Sequence, residues 1–523
     1  MSPDLPSGRH SPEFKKQFKH IGIVGAGSMG SMMTFAFCDL GLDVSTWDVE
    51  KSNVDKVTNW AKNYKNAKGN IHGFYNIDDF TKSLEGKGGR KLFIFSVTHG
   101  DPADSVLGMM KHSLKKGDII LDGGNENYRK TERRQKECEK IGVSWIGMGV
   151  SGGYQSARRG PSLSPSGDAE ALKVVMPLLE QYAAKDPKTN TPCVTRIGPG
   201  GSGHFVKMVH NGIEGGMLSA LAEAWAFMTF GLGMKYEDIG DVFSSWNETG
   251  ELRQNFLLGI GADILRTKRT PQGDQNGEGA GKDGYVLDDV LDKVVQDDDN
   301  TEGTPLWCVM ESAARHISCP TLGAAHYMRI ASGNRAERAH TSKKLHMPSP
   351  RPIEHKRDRK TVLEQLRRAV YCSFLSSFVQ GLELIARASE DEGWNINMGD
   401  CVQIWRAGCI IQSEYIADLL QPALTQKLVT NMKFVDEVSS ELHRNFDDLK
   451  AIIIEGTQFD QYMPALSATL EYLKYEGGLE LPTKFMEAQM DYFGAHCYNK
   501  PGIAGEDPGP VMKGPHHYEW KVA

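Results

Sequence analysis

Six residues constrain this chain more than any others: Gly25-Ala26-Gly27-Ser28-Met29-Gly30, a GxGxxG pattern. They follow the apolar run His20-Ile21-Gly22-Ile23-Val24, which reads as a strand, and open a segment of helical character from Ser31 to about Leu40. In that setting each glycine has its own task. The first permits a tight turn, the second lets a pyrophosphate approach the backbone, and the third lets helix and strand pack closely. Unpaired N–H groups at the start of the helix can then receive phosphate oxygens. A second strand, Asp43 to Trp47, ends at Asp48, 18 residues beyond Gly30, where a carboxylate can hydrogen-bond ribose hydroxyls. A dinucleotide is therefore expected on Gly25 to Gly30 and Asp48. After Asp48 come Val49 and Glu50, with no Arg for a 2′-phosphate, so NAD is expected in preference to NADP.

Further strand-like runs, Leu92 to Val97, Asp118 to Leu121 and Val143 to Gly147, alternate with polar helical segments, which is the rhythm of a parallel doubly wound sheet. The cluster Gly198 to Gly203 marks a boundary. Beyond it long segments of helical spacing dominate: Val206 to Phe230, Val362 to Glu390 and Lys427 to Leu449. The expected organisation is a loose tail over 1–18, a dinucleotide-binding domain over 19–200, a helical domain over 201–485 and a C-terminal tail over 486–523. Two polar stretches, 266–284 and 344–358, read as mobile loop insertions.

Composition narrows the function. With 523 residues the chain exceeds what one core usually serves, and 40% hydrophobic against 24% charged residues is ordinary for a globular protein. A formal net charge of -7 argues against nonspecific nucleic-acid binding. No run approaches the roughly 18 uncharged apolar residues of a membrane span, and Met1 to His20 has no apolar signal core, so neither membrane nor secretion is expected. Nine Cys without a CxxC pair suggest reduced thiols and a cytoplasmic setting. His316 with Cys319 lacks a second ligand pair, so no metal is expected.

The segment His204-Phe205-Val206-Lys207-Met208-Val209-His210-Asn211-Gly212-Ile213-Glu214 places Lys207, His210, Asn211 and Glu214 on one helix face, in an otherwise mostly apolar sequence. Lys207 and Glu214 stand two turns apart, roughly 10 Å along the axis. That separation suits the two ends of a small substrate better than a helical ion pair.

This segment, with DGGNENYRKTERR (122–134), GVSGGYQSARRGPS (149–162), IWRAGCIIQS (404–413) and DYFGAHCY (491–498), resembles the decarboxylating 6-phosphogluconate dehydrogenase family, in order from His20 to about Tyr498. The resemblance implies an α/β Rossmann-type N-terminal domain, a large all-α C-terminal domain, and an extended C-terminal tail reaching the neighbouring subunit of a homodimer. It implies Lys207 as catalytic base and Glu214 as acid. Asn125, Ser151, Gly152, Gly153, His210 and Asn211 match its contacts to the sugar acid. Val97, Thr98 and His99, with Asn125, fall where the family approaches its cofactor, although Thr98 and His99 are not its usual residues. A base that takes the proton of a secondary alcohol while hydride leaves must be neutral, a state that burial favours for Lys.

The departures concern phosphates. The family's substrate-phosphate Tyr, Lys and tail Arg are here Gly215, Glu302 and Met490, leaving Arg329 and the tail His496, and its 2′-phosphate grip is Asp48-Val49-Glu50. Losing a Lys and an Arg removes roughly 3 to 6 kcal/mol of charge-assisted hydrogen bonding. The expectation is thus an NAD-preferring oxidative decarboxylase of a 3-hydroxy sugar acid, either 6-phosphogluconate or a free aldonate such as gluconate. The alternatives are NADP-dependent action on 6-phosphogluconate, with Lys282, Arg335 or Arg338 replacing the missing cations, and a catalytically silent paralogue.

Overall fold

Alternation within the strands builds a sheet covered on both faces. In Leu92–Phe95, Leu92 and Ile94 join one buried cluster while Phe93 and Phe95 join another. The computed structural model describes residues 17–65, 67–85, 89–270, 283–295, 303–354, 357–426 and 429–521. Its sheet has seven strands, β1 (His20–Val24), β2 (Asp43–Trp47), β3 (Ile71–Phe74), β4 (Leu92–Phe95), β5 (Ile119–Asp122), β6 (Ser144–Ser151) and β7 (Ser162–Ser166), in the order β3-β2-β1-β4-β5-β6-β7. All neighbours are parallel except β6 and β7. The order reverses between β1 and β4, and the crevice at the carboxyl ends of strands flanking such a switch point is where open α/β sheets bind ligands.

Two strands lack a sequence signature for a physical reason. β7 is Ser-Leu-Ser-Pro-Ser, edge-paired to β6, and β3 is a partly exposed edge strand. Of the tail expected over 1–18, residues 1–16 lie outside the described residues, and Phe18 is buried in a core cluster with Ile21 and Ile23 of β1. Of the helical spacing expected over Lys427 to Leu449, the part from Asp436 onward falls in the helix Asp436–Gln458, a short turn of helix covers Met432–Phe434, and residues 427 and 428 lie outside the described residues.

Beyond the sheet the chain is helical. The Ser202–Ala226 helix packs on β6, β7 and the long Arg359–Glu392 helix. Glycines permit the approach: a Cβ on Gly149 would lie 2.5 Å from Lys207 Cβ, and one on Gly381 2.5 Å from Ile213. In Arg359–Glu392 every residue from Ala369 to Ala386 is buried. It contains an 18-residue stretch of mean hydropathy 1.4, long and apolar enough to cross a membrane, yet wholly buried, so it is read as a core helix.

The chain divides into two compact units, Met1–Thr469 and Leu470–Ala523. The second contains the Thr483–Gly494 helix, with Met490 on it, and an irregular strand-poor segment gathered on Asp491. Of the two expected insertions, residues 271–282 lie outside the described residues, as do Lys282 and Glu302. The second insertion is tied down in the structure: Arg351 Nε donates to Asp460 at 2.7 Å, and the Ile353 N–H donates to the Gly231 carbonyl at 2.8 Å.

Candidate active site

The glycine-rich turn has the geometry that phosphate binding requires. Gly25 sits at φ +91° with its missing Cβ 2.2 Å from the Ser96 carbonyl oxygen, and Gly30 packs where a Cβ would lie 1.8 Å from the Gly25 oxygen. Gly27 differs: nothing lies within 4 Å of the position a Cβ would take. It also precedes the Ser28–Asp39 helix without any side-chain cap, so the open backbone there fits a phosphate. Asp48 is buried beside this turn. Its Oδ2 accepts the Ala26 N–H at 2.6 Å and its Oδ1 the Glu50 N–H at 2.8 Å, which fixes the carboxylate at the end of β2.

A cleft of about 670 Å³ runs from this turn to the helical half. One wall carries Gly27, Ser28 and Met29, with Val97, Thr98 and His99 following β4 and Asn125 following β5. Gly152 and Gly153, after β6, line it as well. The opposite side is formed by Lys207, Asn211, Glu214 and Gly215 of the Ser202–Ala226 helix and by Arg329 of the Pro320–Gly333 helix. Residues read separately from the sequence as nucleotide-binding and substrate-binding thus share one space.

The polar stripe forms a connected network. Lys207 Nζ donates to Asn211 Oδ1 at 2.8 Å, and Asn211 Nδ2 donates to Thr304 Oγ1 at 2.7 Å. His210 Nδ1 lies 3.0 Å from the same Asn211 oxygen and 3.7 Å from a Glu214 carboxylate oxygen. Burial, together with the neighbouring Lys207, holds the His210 imidazole well below its usual pKa, so it is neutral. Both neighbours of its Nδ1 are acceptors, which assigns the proton to that nitrogen. Lys207 is almost completely buried, whereas the Glu214 side chain is 26% exposed toward the cleft.

Some expected residues stand elsewhere. His210 is completely buried and is not among the cleft-lining residues; it lies behind Asn211 and Glu214. Gly25, Ala26, Gly30 and Ser151 are buried supports of the loops they flank. Arg335 and Arg338, expected as replacement cations, are instead both held by Asp292, at 2.8 and 3.2 Å, and do not line the cleft. Arg329 and Lys207 are the cationic side chains in its lining among the described residues. A Cβ on Gly215 would meet nothing within 4 Å, so the cleft is open there. His496 belongs to the Leu470–Ala523 unit, where its ring packs edge-on with Phe493 at 5.7 Å. Sequence reasoning passed over Thr304, the acceptor that orients Asn211. Its signal was faint, a single Thr opening a helix 93 residues away.

Comparison with known proteins agrees with this arrangement. Residues 20–198 match the NAD binding domain of 6-phosphogluconate dehydrogenase, and residues 203–520 match the 6-phosphogluconate dehydrogenase C-terminal domain. The chain is 69% identical over 496 residues, 95% of its length and 100% of the relative's, to the decarboxylating 6-phosphogluconate dehydrogenase of Emericella nidulans. It is 34% identical to decarboxylating 6-phosphogluconate dehydrogenase 2 of Arabidopsis thaliana, covering 96% of this chain and 98% of that one. A solved Plasmodium falciparum 6-phosphogluconate dehydrogenase, described in its apo form and in complexes with NADP+ and with 6-phosphogluconate, superposes with a TM-score of 0.81. That match has 30% identity and covers 94% of this chain and 100% of that one.

Proposed function

Because the chain belongs to the 6-phosphogluconate dehydrogenase family of NAD(P)-dependent decarboxylating oxidoreductases, we propose that it converts 6-phosphogluconate to ribulose 5-phosphate and carbon dioxide. The observation that carries this is Lys207, Asn211 and Glu214 lining the same cleft as Gly27 to Met29. The sequence expectation of a free aldonate rested on thin local charge. The name of the 69% identical relative favours the phosphorylated acid, and Arg329 supplies a cation for it in the cleft.

The dinucleotide, when bound, supplies the hydride acceptor. Gly27 and the uncapped start of the Ser28–Asp39 helix would hold its phosphates, and Asp48 its ribose. Lys207 Nζ takes the hydroxyl proton as hydride leaves the same sugar carbon, C3, giving a 3-keto acid. The resulting ammonium then polarises the new carbonyl. C1 leaves C2 as carbon dioxide, and the bond electrons form the C2–C3 double bond as the C3 oxygen takes the proton back from Lys207, giving an enediol. Glu214 donates a proton to C2, which becomes C1 of the ketose, while neutral Lys207 takes the C3 hydroxyl proton and the ketone re-forms. Asn211 keeps Lys207 aimed throughout.

For the nucleotide the proposal is NAD: an Asp48 carboxylate held at the end of β2 by the Ala26 and Glu50 N–H groups supports binding of a ribose hydroxyl and disfavours a 2′-phosphate. Steady-state kinetics with 6-phosphogluconate and gluconate, each with NAD and NADP, tests both parts. The expected result is higher kcat/KM for 6-phosphogluconate and for NAD, with carbon dioxide released in step with cofactor reduction. Preference for gluconate overturns the substrate, preference for NADP the nucleotide, and the absence of all turnover the enzyme reading.

A further inference from the structure

Two loops that line the cleft are joined behind it by a buried ion pair. The loop after β4 supplies Val97, Thr98 and His99, and the loop after β5 supplies Gly123, Gly124 and Asn125. The next residues in each loop are Gly100 and Glu126. Glu126 Oε2 accepts the Gly100 N–H at 2.8 Å and Arg134 Nη1 at 2.6 Å, while Arg134 Nη2 donates to the Gly100 carbonyl at 2.8 Å. Gly100 is therefore held at both its N–H and its C=O by two side chains that also bind each other.

Arg134, on the Tyr128–Glu139 helix, has no exposed side-chain surface. Its Nε and Nη2 donate to the two Asp104 oxygens at 2.8 and 3.0 Å, and its guanidinium lies 5.6 Å from the centre of the Trp145 ring. This set of directions requires a planar fork, which a lysine ammonium on its flexible stem does not reproduce. Buried ion pairs add little net stability, because desolvation offsets their attraction. What this one fixes is the separation of two loops.

We infer that Arg134 is a positioning residue of the dinucleotide site, acting through Glu126 and Gly100 to set the loops that share the cleft with the glycine-rich turn. The inference rests on the nucleotide reading above. Two variants test it: Arg134→Lys, and the milder Asp104→Asn, which loosens the far end of the guanidinium while leaving Glu126 paired. For each, dinucleotide Kd is measured by titration calorimetry, together with the KM for 6-phosphogluconate and the unfolding temperature. On the loss of one or two charge-assisted bonds, dinucleotide Kd rises about tenfold in Arg134→Lys and about threefold in Asp104→Asn, while the sugar-acid KM, which these loops reach through Asn125, rises by less than the Kd in each variant. If folded Asp104→Asn keeps wild-type Kd, or both ligands weaken in parallel with lost stability, Arg134 is merely structural. Wild-type protein that binds neither NAD nor NADP refutes the nucleotide reading on which the inference stands.

Discussion

Asn211 is the residue on which the candidate chemistry turns. Its oxygen receives both Lys207 Nζ and His210 Nδ1, and its amide nitrogen is committed to Thr304 Oγ1. An amide can point its oxygen at two donors only if its nitrogen has an acceptor elsewhere, so the buried Thr304 hydroxyl decides which way Asn211 faces. Thr304→Val keeps the shape and removes that acceptor. One neutral hydrogen bond is worth about 1 kcal/mol, so kcat should fall about fivefold with little change in unfolding temperature. Unaltered kcat in a folded Thr304→Val protein shows that Asn211 is held without it. The helical stripe was legible in the sequence because 3.6-residue spacing is a local property. The hydroxyl was not, since nothing local links Asn211 to a residue 93 positions on.

At the scale of an element, the turn between β1 and the Ser28–Asp39 helix separates two roles that one motif conceals. Gly25 is demanded by the fold, through its left-handed backbone and the Ser96 oxygen against it, whereas Gly27 has open space around it. Gly25→Ala should lower the unfolding temperature by several degrees, because a left-handed Ala costs roughly 1 to 2 kcal/mol before any clash is relieved. Gly27→Ala should leave that temperature unchanged and weaken dinucleotide binding. Equal thermal loss in the two variants contradicts this division. The same motif shows what patterns convey at this scale. The sequence placed β1, β2 and the following helix within a few residues, since turn chemistry and apolar runs announce them. It missed β7, whose Ser-Leu-Ser-Pro-Ser has no strand signature and is ordered by pairing with β6.

For the whole molecule, the Leu470–Ala523 unit carries its own organising residue. Asp491 has no exposed surface and accepts hydrogen bonds from the Cys497 N–H at 3.0 Å, His517 Nδ1 at 2.9 Å, the Tyr518 N–H at 3.1 Å and Trp520 Nε1 at 2.8 Å. The hydrogen bond to Asp491 raises the His517 pKa above its usual 6.5. A raised histidine contributes stability that is complete below the unfolded value and is lost as pH climbs through the folded one. Proteolytic cleavage after Tyr498 should therefore quicken from about pH 6.5 upward, and His517→Gln should flatten that dependence. A rate independent of pH in the wild type removes the role given to His517. The sequence by itself determined the βαβ half with its phosphate turn, the switch to helices beyond Gly203, and the polar stripe Lys207 to Glu214. All of these are written in local turn chemistry and periodicity. Tertiary structure alone decided that Arg335 and Arg338 serve Asp292, that His210 stands behind the cleft wall, and that Arg134 ties the loops after β4 and β5 together. Those outcomes depend on which distant groups satisfy a buried charge or donor, and no local spacing encodes that choice.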